Sequence, residues 1–430
     1  MTRFRTWNLK GVPSSADTGF MDTSTTATYS LDEMLKIAMQ KGASDVHLKA
    51  GTIPIMRKHG HLRPLSSKFL PISGEALEKI AFSLMDEGQK EQFIRDKDLD
   101  IAYGISGLGR FRINVLKQRG SIRMVIRAIP DKVTSIQDLN LPPIVEKIAN
   151  LERGLILLTG ATGSGKTSTL AAVIDHINRT KSKHIIMIED PTEFLIRDRR
   201  SIITQRELGM DTNSFSKSLR AALRQDPDVI LIGEMRDRET IEIALLAAET
   251  GHLVLSSLHT LDAQETVNRI LAAFEPHQQL QVRMQLANVL KAVVSQRLGR
   301  KKDKTGFIPV VEILLNNPRI QELIGDPART KEIQNVIEES ASWGMQTFDK
   351  HLLELVAKNI IDYEEALSLS SNPENFAIRY QGVGRGEATQ AWENTDFRHR
   401  VQKNWQNLTE LELEELTQFD KRREKKKKNG

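Results

Sequence analysis

The pattern of hydrophobic residues divides the chain into two parts with different periodicities. In the first part, apolar residues recur at helical spacing from Leu31, after a capping-box pattern that begins at Ser30, and Gly42 supplies a stop. Period-two alternation then predicts short strands, interrupted by one helical stretch near residues 73–94. These strands cover residues 45–48, 53–57, 99–105, 110–116 and 121–129. The first part is therefore predicted to be a small α+β domain over residues 29–132.

In the second part, continuous apolar runs alternate with helical segments, beyond a joint at Pro142 and Pro143. Four runs predict buried strands: Leu155–Thr159, His184–Ile188, Val229–Gly233 and Leu253–Leu258. Alternation of this kind is typical of a parallel sheet covered by helices. After about residue 280 the strand signals fade and helical periodicity dominates. We therefore predict an α/β domain over residues 141–383 with a helical C-terminal part.

Composition changes this picture mainly at the two ends of the chain. Residues 1–28 are rich in Ser, Thr, Gly and Asp and are predicted to be disordered. Residues 384–430 are mostly polar and are predicted to be largely disordered, with one helix around Leu408–Phe419. Residues 421–430 carry seven positive charges and one negative charge, whereas the whole chain has a net charge of +5, so the other 420 residues sum to −1. The basic tail either keeps the chain in solution or attracts anionic lipid or nucleic acid.

Several classes of protein are disfavoured by what the sequence lacks. No apolar run approaches the roughly 20 residues that span a bilayer, and the amino terminus has no apolar core of a secretory signal. The chain contains no cysteine, which excludes disulfide bonds and cysteine-based zinc sites and suits a reducing compartment. We therefore expect a cytoplasmic protein.

The segment that follows the first apolar run of the second part has the pattern G-x-x-x-x-G-K-[ST] of a phosphate-binding loop. Its glycines let successive backbone N–H groups point at one anion, and the N-terminus of the next helix adds partial positive charge. Lys166 is expected to reach the β- and γ-phosphates and the Thr167 hydroxyl to ligate Mg²⁺. The predicted nucleotide contacts are Gly160, Ala161, Thr162, Gly163, Ser164, Gly165, Lys166, Thr167 and Ser168. The sequence thus predicts binding of ATP with Mg²⁺.

Acidic residues end two of the predicted strands. Residues 228–234 form an apolar strand that ends in Glu234, a Walker B arrangement that can hold Mg²⁺ through water beside the phosphate loop. Residues 184–193 form a second strand that ends in three acids, of which Glu193 is a candidate to orient or deprotonate the attacking water. For either segment the alternative is a buried strand that merely ends in solvated acids.

Two further sets of residues are candidates with open alternatives. His259 follows the last of the four runs, so it lies at the same sheet edge and either senses a γ-phosphate or bonds only to its neighbours. In the first part Arg112 shares one strand face with Arg110 and Asn114, and Arg127 continues that pattern on the next strand. This face is either a solvated sheet surface or a cover for the nucleotide, where an arginine would neutralise charge in the transition state.

Several blocks, in order along the chain, resemble the type IV pilus retraction ATPases (the PilT and PilU family) of the secretion superfamily. They are Gly42–Leu48, the Asp box Ile188–Phe194, Gln205–Glu207, the Walker B block Leu223–Asp237, the His box Thr250–Thr260 and the late signature Gly344–Asp349. The resemblance covers residues 29–383. It implies a PAS-like N-terminal domain and a RecA-like ATPase domain, assembled as a homohexameric ring that powers pilus retraction and twitching motility.

The resemblance also implies roles for individual residues and partners. Glu193 would be the general base and Glu234 the Walker B acid linked to Mg²⁺. Besides the phosphate loop, the resemblance implies that His252, His259, Arg112 and Arg127 contact the nucleotide. The implied partners are an inner-membrane platform protein, at which the ring is peripheral, and a paralogous retraction ATPase; nucleic acid is not an expected partner.

Two features depart from the pattern of this family. Retraction motors carry an Ala-Ile-Arg-Asn-Leu element, but the matching stretch here, Arg319–Leu323, lacks its Arg and Asn, which leaves room for an accessory, PilU-like role. The tail from residue 384 has no counterpart. Three alternatives stay open: a pilus-assembly or type II secretion ATPase, a regulatory subunit that binds nucleotide without hydrolysing it, and a DNA-translocating ATPase. The missing four-cysteine motif argues against the first, and intact Lys166, Glu193 and Glu234 argue against the second.

Overall fold

The structure is a computed structural model that describes residues 30–58, 60–130 and 132–380. It divides the chain into two compact units between Ala128 and Ile129, upstream of the joint expected at Pro142 and Pro143. The segments 1–28 and 384–430, for which disorder is predicted, lie outside the described residues, as does the helix expected around Leu408–Phe419. No helix within the described ranges is long and apolar enough to cross a membrane.

The first unit combines three helices with one six-stranded sheet. The helices are α1 (Leu31–Gln40), α2 (Gly74–Ser83) and α3 (Glu87–Asp96); the strands are β1 (Asp45–Lys49), β2 (Ile55–Lys58), β3 (His61–Pro64), β4 (Asp98–Ile105), β5 (Gly109–Gln118) and β6 (Ser121–Ile129). The strands lie in the order β3-β2-β1-β6-β5-β4. All the strands predicted for this part are observed, and its likeness to PAS domains stays a prediction.

The helical stretch predicted near residues 73–94 is two helices, because a capping box divides it. The Asp86 side chain accepts the Gln89 N–H at 2.8 Å, and the Gln89 side chain accepts the Asp86 N–H at 3.1 Å. This reciprocal pair satisfies two backbone donors and so begins α3. At the start of α1, Ser30 caps the helix as predicted by accepting the Glu33 N–H at 3.4 Å.

The second unit is built on a seven-stranded sheet in the order β13-β12-β7-β11-β10-β8-β9. Its strands are β7 (Gly154–Thr159), β8 (His184–Glu189), β9 (Ile202–Glu207), β10 (Val229–Ile232), β11 (Leu253–Leu258), β12 (Leu290–Arg300) and β13 (Phe307–Leu315). Strands β12 to β9 are parallel neighbours, and only β13 runs antiparallel to its neighbour. The predicted α/β class with a parallel sheet is confirmed.

Helices cover both faces of this sheet. They are α4 (Ile144–Ala149), α5 (Lys166–Thr180), α6 (Phe215–Ala222), α7 (Arg238–Glu249), α8 (Ala263–Leu271), α9 (Pro276–Val289), α10 (Pro318–Gly325), α11 (Ile333–Glu339), α12 (Phe348–Ala357), α13 (Tyr363–Leu369) and α14 (Pro373–Tyr380). Along β7, Leu155 and Leu157 join one apolar cluster, whereas Ile156 and Leu158 join another, with α5. The central strand is therefore buried on both sides, which explains its continuous apolar run.

The expectation that strand signals end near residue 280 is wrong for residues 290–315. There β12 and β13 form an antiparallel hairpin, and β12 also pairs in parallel with β7. Most positions of the two strands are buried, including five in a row on β12 and seven in a row on β13, so the sequence lacks the alternation that marks a half-exposed strand. Strand β9 was likewise not predicted. From α10 to Tyr380 the described elements are helices, as expected.

Candidate nucleotide-binding site

The phosphate loop joins β7 to α5 and needs its glycines for conformational reasons. Gly160, Gly163 and Gly165 have φ angles of +145°, +81° and +87°, which side-chain-bearing residues rarely adopt. A Cβ atom on Gly160 would also lie 2.3 Å from the backbone oxygen of Gln296. The glycine spacing read from the sequence is therefore required by both backbone angle and close packing.

The loop residues differ in their exposure. Ala161, Thr162 and Gly163 are exposed, Ser164 and Lys166 are buried, and Gly165, Thr167 and Ser168 are half-buried. Gly165 is the N-cap of α5 and offers no side chain to the amides of the first turn. The Ser164 Oγ is buried without a hydrogen-bond partner among the described residues. Unsatisfied donors at a helix N-terminus fit an anionic ligand.

Lys166 lies inside the loop rather than in solvent. Its Nζ donates to the carbonyl oxygens of Gly160 at 2.7 Å and Ala161 at 3.0 Å. Burial lowers the pKa of Lys166, while the negative charge of Glu234 acts in the opposite direction. Lys166 therefore lies among loop carbonyl oxygens, and its contact with phosphate stays a prediction.

Glu234 follows β10 and is held between two basic side chains. Its Oε2 lies 3.2 Å from His259 Nε2, and its Oε1 forms an ion pair with Arg236. The Glu234 side chain is only 11% exposed, whereas that of His259 is 50% exposed. Parallel pairing of β10, β11 and β7 brings Glu234, His259 and the phosphate loop to the same edge of the sheet.

A second acidic group lies at the ends of β8 and β9, along the same edge. Glu193 is exposed, whereas Glu189 and Glu207 are buried. Burial raises the pKa of Glu189 to about 7, and the negative charges of Glu193 and Glu207 raise it further. The hydrogen bond that Gln205 Nε2 donates to Glu189 Oε2 at 3.0 Å lowers this pKa. Glu193 is therefore the member of this group that solvent reaches, as a base acting on water requires.

His252 does not lie at this edge. It directly precedes β11, whereas the phosphate loop follows Thr159 at the far end of the parallel strand β7. At about 3.3 Å per residue, six residues separate His252 from the loop edge by roughly 20 Å. Its Nδ1 lies 2.9 Å from the carbonyl oxygen of Ala247 and 3.2 Å from the Thr250 hydroxyl. Within this unit the His box thus spans a whole strand, with His252 and His259 at its opposite ends, and the expectation that both line the nucleotide stays a prediction.

Arg112 and Arg127 lie on the polar face of the sheet of the first unit, as alternation predicts. Arg112 Nη2 is 3.2 Å from Asp100 Oδ2, and Arg127 Nε donates to Asp45 Oδ1 at 2.9 Å. Burial tends to raise the pKa of Asp45, but hydrogen bonds from Arg127 and Ser44 bring it below its ordinary value. Both arginines thus have carboxylate partners in their own unit, and their contact with nucleotide stays a prediction.

The residues at the sheet edge fit ATP with Mg²⁺. The loop presents glycine amides, an orphaned hydroxyl and a buried ammonium for phosphate, and Thr167 and Glu234 carry the oxygen ligands that Mg²⁺ prefers. Among the described residues no three His, Asp or Glu side chains cluster as a metal cage.

Sequence reasoning missed Gln296, which supports the loop from β12. Gln296 is only 1% exposed, and its Nε2 donates to the Ser164 carbonyl at 2.7 Å. The single sequence signal is a polar residue within an apolar strand that itself was not predicted. A contact across 132 positions of the chain leaves no local pattern.

The comparisons with known proteins agree with this geometry. The family model described as "Type II/IV secretion system protein" matches residues 21–367. The chain is 40% identical over 346 residues to the type IV pilus retraction ATPase PilT of Pseudomonas aeruginosa, which covers 80% of this chain and 99% of that protein. It is 39% identical over 347 residues to the type IV pilus ATPase PilU of the same organism, with coverage of 81% and 90%.

A solved structure supports the same relationship. The crystal structure of the pilus retraction motor PilT with bound ADP superposes with a TM-score of 0.74 at 42% sequence identity. The match covers 80% of this chain and 98% of that one.

Proposed function

Because the chain belongs to the type II/IV secretion system protein family and is an ATPase of the secretion superfamily, we propose that it is a motor that hydrolyses ATP to power type IV pilus retraction. One observation carries this proposal. A glycine loop after β7 holds Lys166, and the buried acid Glu234 follows β10, two strands away, at the same edge of the parallel sheet. This is the arrangement that phosphoryl transfer from ATP requires.

The proposed mechanism assigns one task to each side chain. The loop amides and Lys166 bind the β- and γ-phosphates, and Thr167 and Glu234 hold Mg²⁺, which when bound neutralises charge that develops on those phosphates. Glu193, exposed beside the buried acids of β8 and β9, takes the proton of the attacking water. His259 bonds to Glu234 and so links the Walker B acid to the end of β11.

Further parts of the proposal come from the relatives. We propose that the chain assembles as a homohexamer in the cytoplasm, peripheral to the membrane, where it acts on an inner-membrane platform protein. Arg112 and Arg127 of the first unit would supply positive charge to the transition state. Their polar sheet face, with Arg123 on β6, supports this role. The test is the ATP-dependent assembly state by light scattering; a monomer in saturating ATP would contradict the hexamer.

The catalytic assignments are tested by ATP turnover and by nucleotide affinity measured separately. Lys166→Ala should abolish tight binding, whereas Glu193→Gln should bind ATP normally and lose turnover by roughly 10²- to 10⁴-fold, the usual contribution of a general base. Glu364→Gln, at an exposed position on α13, is the matched control. Near-normal turnover by Glu193→Gln would remove Glu193 from the role of base. Wild-type turnover no higher than that of Lys166→Ala would indicate a regulatory subunit.

An accessory role beside a second retraction ATPase is the other candidate, and α10 favours it. Where retraction motors carry Arg and Asn, this chain has half-buried Gln321 and exposed Glu322. Glu322 lies 3.4 Å from Arg329, and Arg319 Nη1 lies 2.5 Å from Glu339 Oε2. Surface pili counted by electron microscopy on cells lacking the protein decide between the roles. An excess of pili indicates a retraction motor, unchanged pili an accessory subunit, and bald cells an assembly motor.

A further inference from the structure

We propose that Gln296 on β12 is a positioning residue for nucleotide binding, because it holds the peptide between Ser164 and Gly165 in the orientation that phosphate requires. The inference deepens the proposed function and rests on it. Gln296 is too deeply buried to touch a ligand in the loop, since its side chain is 1% exposed. It acts through the loop instead.

Both ends of the Gln296 side-chain amide are engaged. The Nε2 donates to the Ser164 carbonyl at 2.7 Å, and the Oε1 accepts the Thr169 hydroxyl at 2.8 Å. The Ser164 carbonyl only accepts, so it determines that the Nε2 end of the amide faces the loop, and the Thr169 hydroxyl then donates to the Oε1 end. Because Thr169 lies in the first turns of α5 and Ser164 lies in the loop, one side chain joins the loop to its helix.

The orientation of one peptide follows from this contact. The Ser164–Gly165 bond is trans, and in a planar trans peptide the C=O and N–H point in opposite directions. A hydrogen bond that draws the Ser164 oxygen toward β12 therefore turns the Gly165 N–H away from β12, to the side where the proposal places the phosphate. Backbone N–H groups that converge in this way form the anion site of a phosphate-binding loop.

The same residue determines the space available to two loop glycines. A Cβ on Gly165 would lie 2.8 Å from Gln296 Nε2, and one on Gly160 would lie 2.3 Å from the Gln296 carbonyl oxygen. The first and last of the three positive-φ glycines thus pack directly on β12 at Gln296. The loop is shaped against this strand as well as by its own sequence.

The test compares ADP affinity and steady-state ATP turnover of the full chain with two variants of this residue. Gln296→Met keeps length and removes both hydrogen bonds. Gln296→Glu keeps the acceptor for Thr169 and places a second acceptor against the Ser164 oxygen. Gln334→Met is the matched control, because Gln334 donates to Glu312 at 3.0 Å in the same unit and has no contact with the loop among its described hydrogen bonds.

We expect Gln296→Met to raise the Kd for ADP and the KM for ATP roughly tenfold, equivalent to about 1.4 kcal/mol. The kcat should stay within about twofold, because the Gly165 N–H binds phosphate equally before and during the reaction. Gln296→Glu should weaken binding further. A merely structural role would instead lower the amount of active protein, and so kcat, with KM unchanged, as we expect for Gln334→Met.

The outcomes separate this inference from the function on which it rests. Wild-type protein that neither binds ADP nor hydrolyses ATP would overturn both. If the wild-type protein binds ADP and both Gln296 variants keep the wild-type Kd and KM, only the inference about Gln296 is overturned. If these variants do not fold, Thr169→Val decides the question, because it removes only the hydrogen bond that anchors the Oε1 end of the glutamine amide to α5. A Kd raised severalfold supports the inference, and an unchanged Kd overturns it.

Discussion

A buried carboxyl on β13 makes the stability of the second unit dependent on pH. Glu312 is only 1% exposed. Its Oε1 accepts a hydrogen bond of 3.0 Å from the Ala263 N–H at the start of α8, and its Oε2 accepts one of 3.0 Å from Gln334 Nε2. Burial raises the pKa of Glu312 from 4.5 to about 7, although both hydrogen bonds oppose the rise. The charge of Asp262 adds to it and that of Arg297 reduces it. The informative change is Glu312→Gln, which keeps the shape and removes the charge.

The magnitude follows from the difference between folded and unfolded pKa. At about 1.36 kcal/mol per pKa unit, ionised Glu312 costs the folded state about 3 kcal/mol. Because the folded pKa is the higher one, the neutral carboxyl contributes its full stability below about pH 4.5. That contribution decreases as pH rises through the window from 4.5 to about 7 and is lost above it. Between pH 5 and pH 8 the stability of Glu312→Gln relative to wild type should therefore rise by about 2 kcal/mol. The loss of one acceptor, which both donors to Glu312 would feel, does not depend on pH and cancels in this difference.

The assay is urea unfolding followed by circular dichroism at pH 5 and pH 8. The measured quantity is the free energy of unfolding of the variant minus that of the wild type. The difference is needed because other groups titrate in the same pH range and affect both proteins equally. Burial lowers the pKa of His351 to about 4, for example, so its contribution to stability decreases as pH falls from 6.5 toward 4, opposite to that of Glu312. Glu364→Gln, an exposed substitution, should show no such pH-dependent difference. An equal gain for Glu312→Gln at both pH values would refute the reasoning.

Two further predictions concern the loop edge. Gly160→Ala should abolish ADP binding in titration calorimetry, because its new methyl group would meet the Gln296 carbonyl oxygen at 2.3 Å. Gly104→Ala, in open space, should bind normally, and a Kd within twofold of wild type for Gly160→Ala would contradict the packing argument. His259→Ala should lower ATP turnover at least tenfold, whereas His252→Ala should leave ATP turnover within about twofold of wild type. Equal losses of turnover in the two variants would contradict this difference between the two ends of β11.

The chemistry of the site was readable from the sequence because its signals are local. The glycines, Lys166 and Thr167 lie within eight consecutive positions, and the apolar run before them predicts the strand that positions them. Glu234 was readable for the same reason, since an acid that ends a buried parallel strand must reach the edge where the loop lies. Strand direction also places His259 there.

What only the tertiary structure decided depends on contacts between distant segments. Gln296 and Glu312 bond to partners 132 and 49 positions away, and no periodicity records such a pair. The hairpin that carries both residues was hidden because strands buried on two faces lose their alternation. His252 could be separated from His259 only once the strand between them had a register. The sequence by itself determined which groups are proposed to bind and cleave a phosphate, through local backbone and charge patterns. The fold decided which buried side chains hold those groups in place, because hydrogen bonds and packing act through space.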